Sequence, residues 1–195
     1  MGPEALARAL ARPARPSSDY DLNPGFGPPE GRALRAAAVL VAVWDRPGGP
    51  RLVLTKRGTG LRHHPGQVAF PGGKVEAGED AAACALREAR EEVALDPAAV
   101  AVLGALPPHE TVTGFAVTPV VGWIGGAFAP RPEAGEVEEV FTVPLAHVAD
   151  PARFRVESRA WRGGVRRYYA VPWGPYYIWG ATARILRGLA DRLAA

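Results

Sequence analysis

Glu88, Glu91 and Glu92 occupy positions i, i+3 and i+4, so any helix drawn through them carries three carboxylates on one face. Like charges at that spacing cost about 0.2–0.5 kcal/mol per pair, and a crowded cluster also raises its own pKa values. The chain has two ways to accommodate such a face. It can leave it in solvent, balanced by Arg87 and Arg90, or it can place a cation there. The surrounding positions favour the cation. Gly73, Glu79, Arg87 and Leu95 complete the run Gly-x5-Glu-x7-Arg-Glu-x-x-Glu-Glu-x-Ala-Leu, whose fixed spacing is far more specific than an isolated Glu-Glu pair.

The stretches on either side set out a layered fold. Residues 36–44 and 51–56 are apolar, β-rich runs joined by Asp45-Arg46-Pro47-Gly48-Gly49-Pro50, which reads as a hairpin connection. Residues 68–70 form a short strand before Pro71-Gly72-Gly73, and Glu79 or Asp80 begins the helix that carries the glutamates. Further strands are predicted over 100–106, 116–124, 137–143 and 165–171. A last helix is predicted over 179–193, where Ile185, Leu186, Leu189 and Leu193 recur at helical spacing. Strands interleaved with helices predict an α/β fold, a mixed sheet covered on both faces. Residues 1–33, rich in Ala, Arg and Pro, read as a flanking segment, helical up to Leu10 and extended after Pro13, and residues 34–195 as the main domain.

Composition narrows the partners. With 48% hydrophobic residues in 195, the chain can build one domain around a sizeable core. No run approaches the roughly 18 uncharged apolar residues of a membrane-spanning helix. A single cysteine, Cys84, excludes an intramolecular disulfide framework and fits a reducing, cytoplasmic setting; among alanines it reads as a packed side chain rather than a nucleophile. A net charge of +3 and a pI near 9.3 favour anionic small molecules and do not by themselves imply nucleic acid.

The run over 73–95 resembles the Nudix box, the signature of hydrolases that cleave nucleoside diphosphates linked to another group. That resemblance implies an α/β/α sandwich with a mixed β-sheet between helices. It also implies a Mg²⁺ or Mn²⁺ site built from Glu88, Glu91 and Glu92, with Glu79 joining through water or capping the helix. Carboxylate oxygens are hard ligands suited to those ions. Arg87 would hold Glu91 at i+4 in a supporting role. Two positions depart from the family pattern. Ala89 is smaller than the usual aliphatic residue, which implies close helix packing. Ala94 stands where the family has glycine; a left-handed backbone there costs an L-residue roughly 1–2 kcal/mol, so a different loop path is expected.

Upstream, Leu52-Val53-Leu54-Thr55-Lys56-Arg57 is followed by Leu61-Arg62-His63-His64-Pro65-Gly66-Gln67-Val68-Ala69-Phe70-Pro71-Gly72-Gly73. This stretch is similar to the motif of the coenzyme A pyrophosphatase branch of the family. The likeness extends to Thr111 and Thr113 and to residues 178–186. It implies hydrolysis of coenzyme A to 3′,5′-ADP and 4′-phosphopantetheine, with Arg57, Arg62, His64, Gly72 and Gly73 binding substrate. The catalytic set it suggests is Arg87, Glu91 and Glu92 with a general base, which in the family is a box glutamate or a carboxylate on a distant loop; Glu136, Glu138 and Glu139 of the acidic segment 134–140 are the candidate proton acceptors, with Glu139 placed in the set. In that segment strand alternation sets Glu136 and Glu138 on one face and Glu139 on the other. A second basic region, Arg153, Arg155, Arg159, Arg162, Arg166 and Arg167, attracts a multiply charged ligand or is solvated surface. Trp173, Tyr176, Tyr177 and Trp179 stack adenine, line a pantetheine groove or form an ordinary packing cluster. Two other readings are a Nudix hydrolase of ADP-ribose or another nucleoside diphosphate derivative, and a non-catalytic module that binds a nucleotide or RNA. The second is disfavoured because no box glutamate is missing.

Overall fold

The computed structural model describes residues 1–61, 64–161 and 163–195. In chain order its elements are α1 (Pro3–Leu10), β1 (Ser17–Ser18), β2 (Arg35–Trp44), β3 (Arg51–Arg57), β4 (Val68–Ala69), β5 (Gly72–Lys74), α2 (Ala81–Val93), β6 (Val100–Ala105), β7 (His109–Glu110), β8 (Phe115–Ile124), β9 (Val137–Pro144), α3 (Leu145–Val148), β10 (Arg155–Trp161), β11 (Gly164–Ala170) and α4 (Gly180–Ala194).

β2 is apolar from Ala36 onward, with no polar alternate face, which suits a strand buried on both sides. It pairs in parallel with β8 along its whole length and antiparallel with β3 and β5. Among the described residues, nine strands form one mixed sheet in the order β1-β7-β8-β2-β3-β4, with β5 on β2, β6 on β8 and β9 on β3. Alternate β2 side chains serve two cores. Leu40 and Ala42 pack with Cys84, Ala85, Ala89 and Val93 of α2, while Val41 and Val43 join Ile185, Leu186 and Leu189 of α4. The result is an α/β/α sandwich. Ala89 is fully buried, and its small side chain lets α2 lie close on the sheet.

One segment departs from what the sequence suggested, and another, residues 1–33, has the expected helix up to Leu10. Residues 155–161, conspicuous for their arginines, are strand β10, paired antiparallel with β11 so that Arg159 lies opposite Arg166. β10 has no buried face, so the alternating apolar signal of a half-buried strand is missing from it. Residues 1–33 fold onto the same body as the rest. Leu6 is fully buried, β1 pairs in parallel with β7, and Arg192 of α4 donates to the carbonyls of Ala9 at 3.0 Å and Leu10 at 2.6 Å. These are contacts across nearly the whole chain, which local periodicity does not register.

α2 starts at Asp80, whose carboxylate accepts the Ala83 N–H at 2.8 Å and satisfies one of the unpaired donors of the first turn. It ends at Ala94 with φ 58° and ψ 31°, so the loop keeps the left-handed turn expected of glycine, contrary to the different path anticipated for alanine. The turn is held by Ala94 N–H to Arg90 O at 3.1 Å and Leu95 N–H to Ala89 O at 3.2 Å, with Leu95 buried. Packing of Leu95 and these bonds outweigh the steric cost. Ala94→Gly is expected to stabilise the protein by about 1 kcal/mol, because the strain relieved exceeds the added freedom of the unfolded chain. Urea unfolding midpoints read this directly; an unchanged or lower midpoint would mean the alanine is not strained.

Candidate active site

The glutamates of α2 divide into two environments. Arg87 forms the outer one. Its guanidinium meets Glu79 with two bonds, Nη2 to Oε1 at 2.8 Å and Nε to Oε2 at 3.1 Å, and reaches Glu88 at 3.0 Å and Glu91 at 3.2 Å. A further bond runs to Lys74 O at 3.2 Å. The bond from Arg87, with help from the Glu76 N–H, holds the Glu79 carboxyl down at about 2. Glu91, at the outer edge of the helix face, is the most exposed of the four, with 57% of its side chain accessible.

Glu92 and Glu88 point inward. Glu92 is only 5% exposed and accepts one bond from the Gly72 N–H at 3.3 Å. Burial pushes its pKa from 4.5 up to about 7; Gly72 and Arg57 pull the other way, and the charges of Glu88 and Glu136 add to the rise. Burial likewise raises Glu88, against the pull of Arg87 and with the charges of Glu91 and Glu136. Of the two glycines of the approach, Gly72 is enclosed by backbone, whereas a side chain on Gly73 would displace the Glu88 carboxylate. A Cβ on Gly73 would overlap the Glu88 carboxylate, and one on Gly72 would lie 2.5 Å from Ala38 O. As the side chains stand, no three His, Cys, Asp or Glu side chains converge on one point among the described residues. Glu88 and Glu92 nevertheless hold more negative charge than their surroundings neutralise, and a hard divalent cation suits that donor set.

Beside Gly72 opens a cavity of about 480 Å³. Arg57, His64 and Gly72 line it, and Arg62 lies outside the described residues. The buried Nε of Arg57 has no hydrogen-bond partner. His64 takes a positive φ of 55°, and its Nδ1 lies 2.8 Å from Gln67 Oε1. Asp19, Thr111, Val112 and the β10–β11 hairpin also line the cavity. Asp19 is nearly buried: it accepts the Val112 N–H at 2.9 Å and pairs with Arg166 at 3.2 Å, and His109 Nε2 stands 3.4 Å away. Burial opposes the Asp19 charge, but these partners outweigh it and its pKa lies below the ordinary 3.8. Of the four aromatic residues singled out by sequence, Trp179 alone lines this cavity. Tyr176 stacks on Phe141 with ring centroids 3.5 Å apart, and Trp173 packs edge-on against His147.

The three acidic candidates for a proton acceptor have separate fates. Glu138 is bound to Lys56 at 2.6 Å, and Glu139 accepts a bond from the Tyr176 hydroxyl. Glu136 is the one whose charge acts on both Glu88 and Glu92. Its loop is tied to the end of α2 by Glu133 N–H to Glu92 O at 2.9 Å and Arg131 N–H to Val93 O at 3.1 Å.

The NUDIX domain family matches residues 34–161. The chain belongs to the Nudix family. Proteins described as uncharacterized Nudix hydrolase NudL from Salmonella newport and Salmonella agona are each 48% identical over 157 residues, spanning 80% of this chain and 81% of theirs. In fold, the chain is similar to a Nudix hydrolase from M. smegmatis, RenU, with a TM-score of 0.52 at 21% identity, covering 62% of this chain and 83% of that one. A MutT/nudix family protein from Enterococcus faecalis gives 0.54 at 16% identity over 87% of this chain and 66% of that one. The chain is thus a Nudix hydrolase, an enzyme class that acts on small-molecule nucleotide substrates, generally with divalent metal ions. Among the described residues no helix is long and apolar enough to cross a membrane.

Sequence reasoning singled out Arg166 and Trp179 of this Nudix cavity but missed Asp19. Asp19, Arg166 and Trp179 all lie outside the matched span. Asp19 sits in a loop before the first long strand and carries no local signal; its partner Arg166 was visible only as one of many arginines. Cys84 is as expected a packed residue, its thiol pushed by burial to about 11.

Glu92 also sets a pH dependence. Without metal, the folded state holds the Glu92 proton more tightly than the unfolded chain between pH 4.5 and about 7. Stability should therefore fall as pH rises through that window, by on the order of 3 kcal/mol in all. Urea midpoints in EDTA are expected to decline from pH 4.5 to 7.5, and Glu92→Gln should flatten most of that slope. A wild-type midpoint that rises across the window would contradict the raised Glu92 pKa.

Proposed function

We propose that this Nudix enzyme hydrolyses the pyrophosphate bond of coenzyme A to 3′,5′-ADP and 4′-phosphopantetheine, with Mg²⁺ or Mn²⁺. The observation that carries this reading is the placement of Arg57, His64 and Gly72, from the upstream motif, in one cavity beside the buried Glu92. Glu88 and Glu92 would hold the metal, while Glu79 and Glu91 are engaged by Arg87. When bound, the ion screens the phosphate charge and stabilises the leaving oxygen.

The chain's own residues supply the rest. Arg57, which lines the cavity and has no bonded carboxylate among the described residues, donates to a pyrophosphate oxygen by a charge-assisted bond from its guanidinium. Gly72 and Gly73 let the backbone come close without side chains in the way. Arg87 positions Glu88 by fixing its orientation against Glu79 and Glu91. Glu136 accepts a proton from the attacking water, whose oxygen bonds to one phosphorus while the bridging P–O bond breaks and its electron pair stays with the other phosphate. Glu139, which accepts the Tyr176 hydroxyl, is the alternative acceptor that the sequence suggested.

The direct test incubates the protein with coenzyme A, ADP-ribose and NADH separately, each with Mg²⁺, Mn²⁺ or EDTA, and identifies products by chromatography. Metal-dependent appearance of 3′,5′-ADP and 4′-phosphopantetheine is expected; survival of coenzyme A while ADP-ribose or NADH is consumed would overturn the substrate. Glu136→Gln is expected to lower kcat by about 10²–10⁴, the usual contribution of a positioned base. Glu139→Gln should change it by less than about threefold, since surface changes are mild. The reverse ranking would return the proton acceptor to Glu139.

A further inference from the structure

The part of the cavity lining contributed by the β10–β11 hairpin carries an unbalanced positive charge. Arg159 on β10 and Arg166 on β11 lie directly across from one another, a pairing in which like charges repel. Both line the cavity. Asp19 neutralises Arg166 at 3.2 Å. Arg159 has no carboxylate within ion-pair distance among the described residues; its guanidinium instead lies over the Trp179 ring, 4.5 Å from the centroid.

That stacking orients the guanidinium plane and leaves its in-plane N–H donors unused, the arrangement that suits bidentate contact with a phosphate. Trp179 is itself held by Tyr168, edge-on at 5.0 Å. Arg57, the cavity's other guanidinium without a bonded carboxylate, is coupled to Glu92. One cavity thus offers two separate cationic anchors, one beside the carboxylates and one on the hairpin.

We infer that the Arg159–Trp179 pair on the β10–β11 wall is a specificity subsite that binds a second phosphate, the phosphomonoester on the ribose of the substrate, apart from the pyrophosphate being cleaved. This deepens the coenzyme A reading and rests on it for the identity of the substrate. The subsite makes the hairpin and the Asp19 loop, both at or beyond the limits of the matched family span, the parts that select among pyrophosphate compounds. Asp19 serves it by cancelling Arg166, which leaves one net charge on the wall to match the phosphate.

Two measurements with Arg159→Met test it, since methionine keeps much of the stem and removes the charge. The first compares kcat/KM for coenzyme A and for dephospho-coenzyme A, which lacks only the ribose phosphate. The wild type is expected to prefer coenzyme A, and the variant to reduce that preference at least tenfold, mainly through KM. The second measures calorimetric binding of 3′,5′-ADP and 5′-AMP, which needs no turnover. Arg159→Met should weaken 3′,5′-ADP at least tenfold relative to 5′-AMP. If the wild type turns over neither coenzyme nor its dephospho form, the substrate reading fails while the binding arm still decides the subsite. If 3′,5′-ADP binds both proteins alike, or the substrate preference survives the substitution, the subsite is wrong.

Discussion

The burial of Glu92 beneath the Gly72 backbone is the constraint on which the site depends. A carboxylate this deep in an α/β/α sandwich is costly unless its charge is met, and one N–H with a distant guanidinium does not meet it. The protein accepts that cost at one point and arranges the neighbours accordingly. Arg87 gathers Glu79, Glu88 and Glu91 so that the acidic helix folds without repelling itself apart, yet leaves Glu92 uncompensated. The two glycines bring β5 close enough for the contact, and Ala89 lets α2 sit near enough to the sheet to make it.

The rest of the architecture serves to open a cavity beside that carboxylate. β2, buried on both faces, fixes α2 on one side and α4 on the other. Arg57 sits at the end of β3, His64 in the loop before β4, and Gly72 in β5, so three residues of one short stretch of sequence come together as the chain passes from β3 through β4, which pairs with β3, to β5, which pairs with β2. A further part of the lining is added by the N-terminal loop and the β10–β11 hairpin, locked together by Asp19 and Arg166. The box carboxylates and the hairpin arginines thus belong to different parts of the chain that meet at the same cavity.

Much of this was legible in the sequence, and the reasons differ by element. The box helix and the long strands were readable because their apolar periodicity records burial that is local in sequence. Glu88, Glu91 and Glu92 were readable because their spacing is a helical spacing. What the sequence left open was which carboxylates are inward: helical geometry puts all three on one face, and only the sheet above decides that Glu92 is buried while Glu91 is in solvent. The pairing of Glu139 with Tyr176 and the packing of Tyr176 on Phe141 are long-range events with no local trace. The same holds for Asp19, whose role arises from two residues more than a hundred positions apart.

Everything proposed for this site depends on Glu92 and Glu88 binding a divalent ion beside the cavity. Electron paramagnetic resonance of free Mn²⁺ during titration with protein measures this without turnover. The wild type is expected to deplete the free-ion signal, and Glu92→Gln and Glu88→Gln to weaken Mn²⁺ binding at least tenfold each, with both variants folded by circular dichroism. Undiminished Mn²⁺ binding in the folded Glu92→Gln and Glu88→Gln proteins would contradict the account.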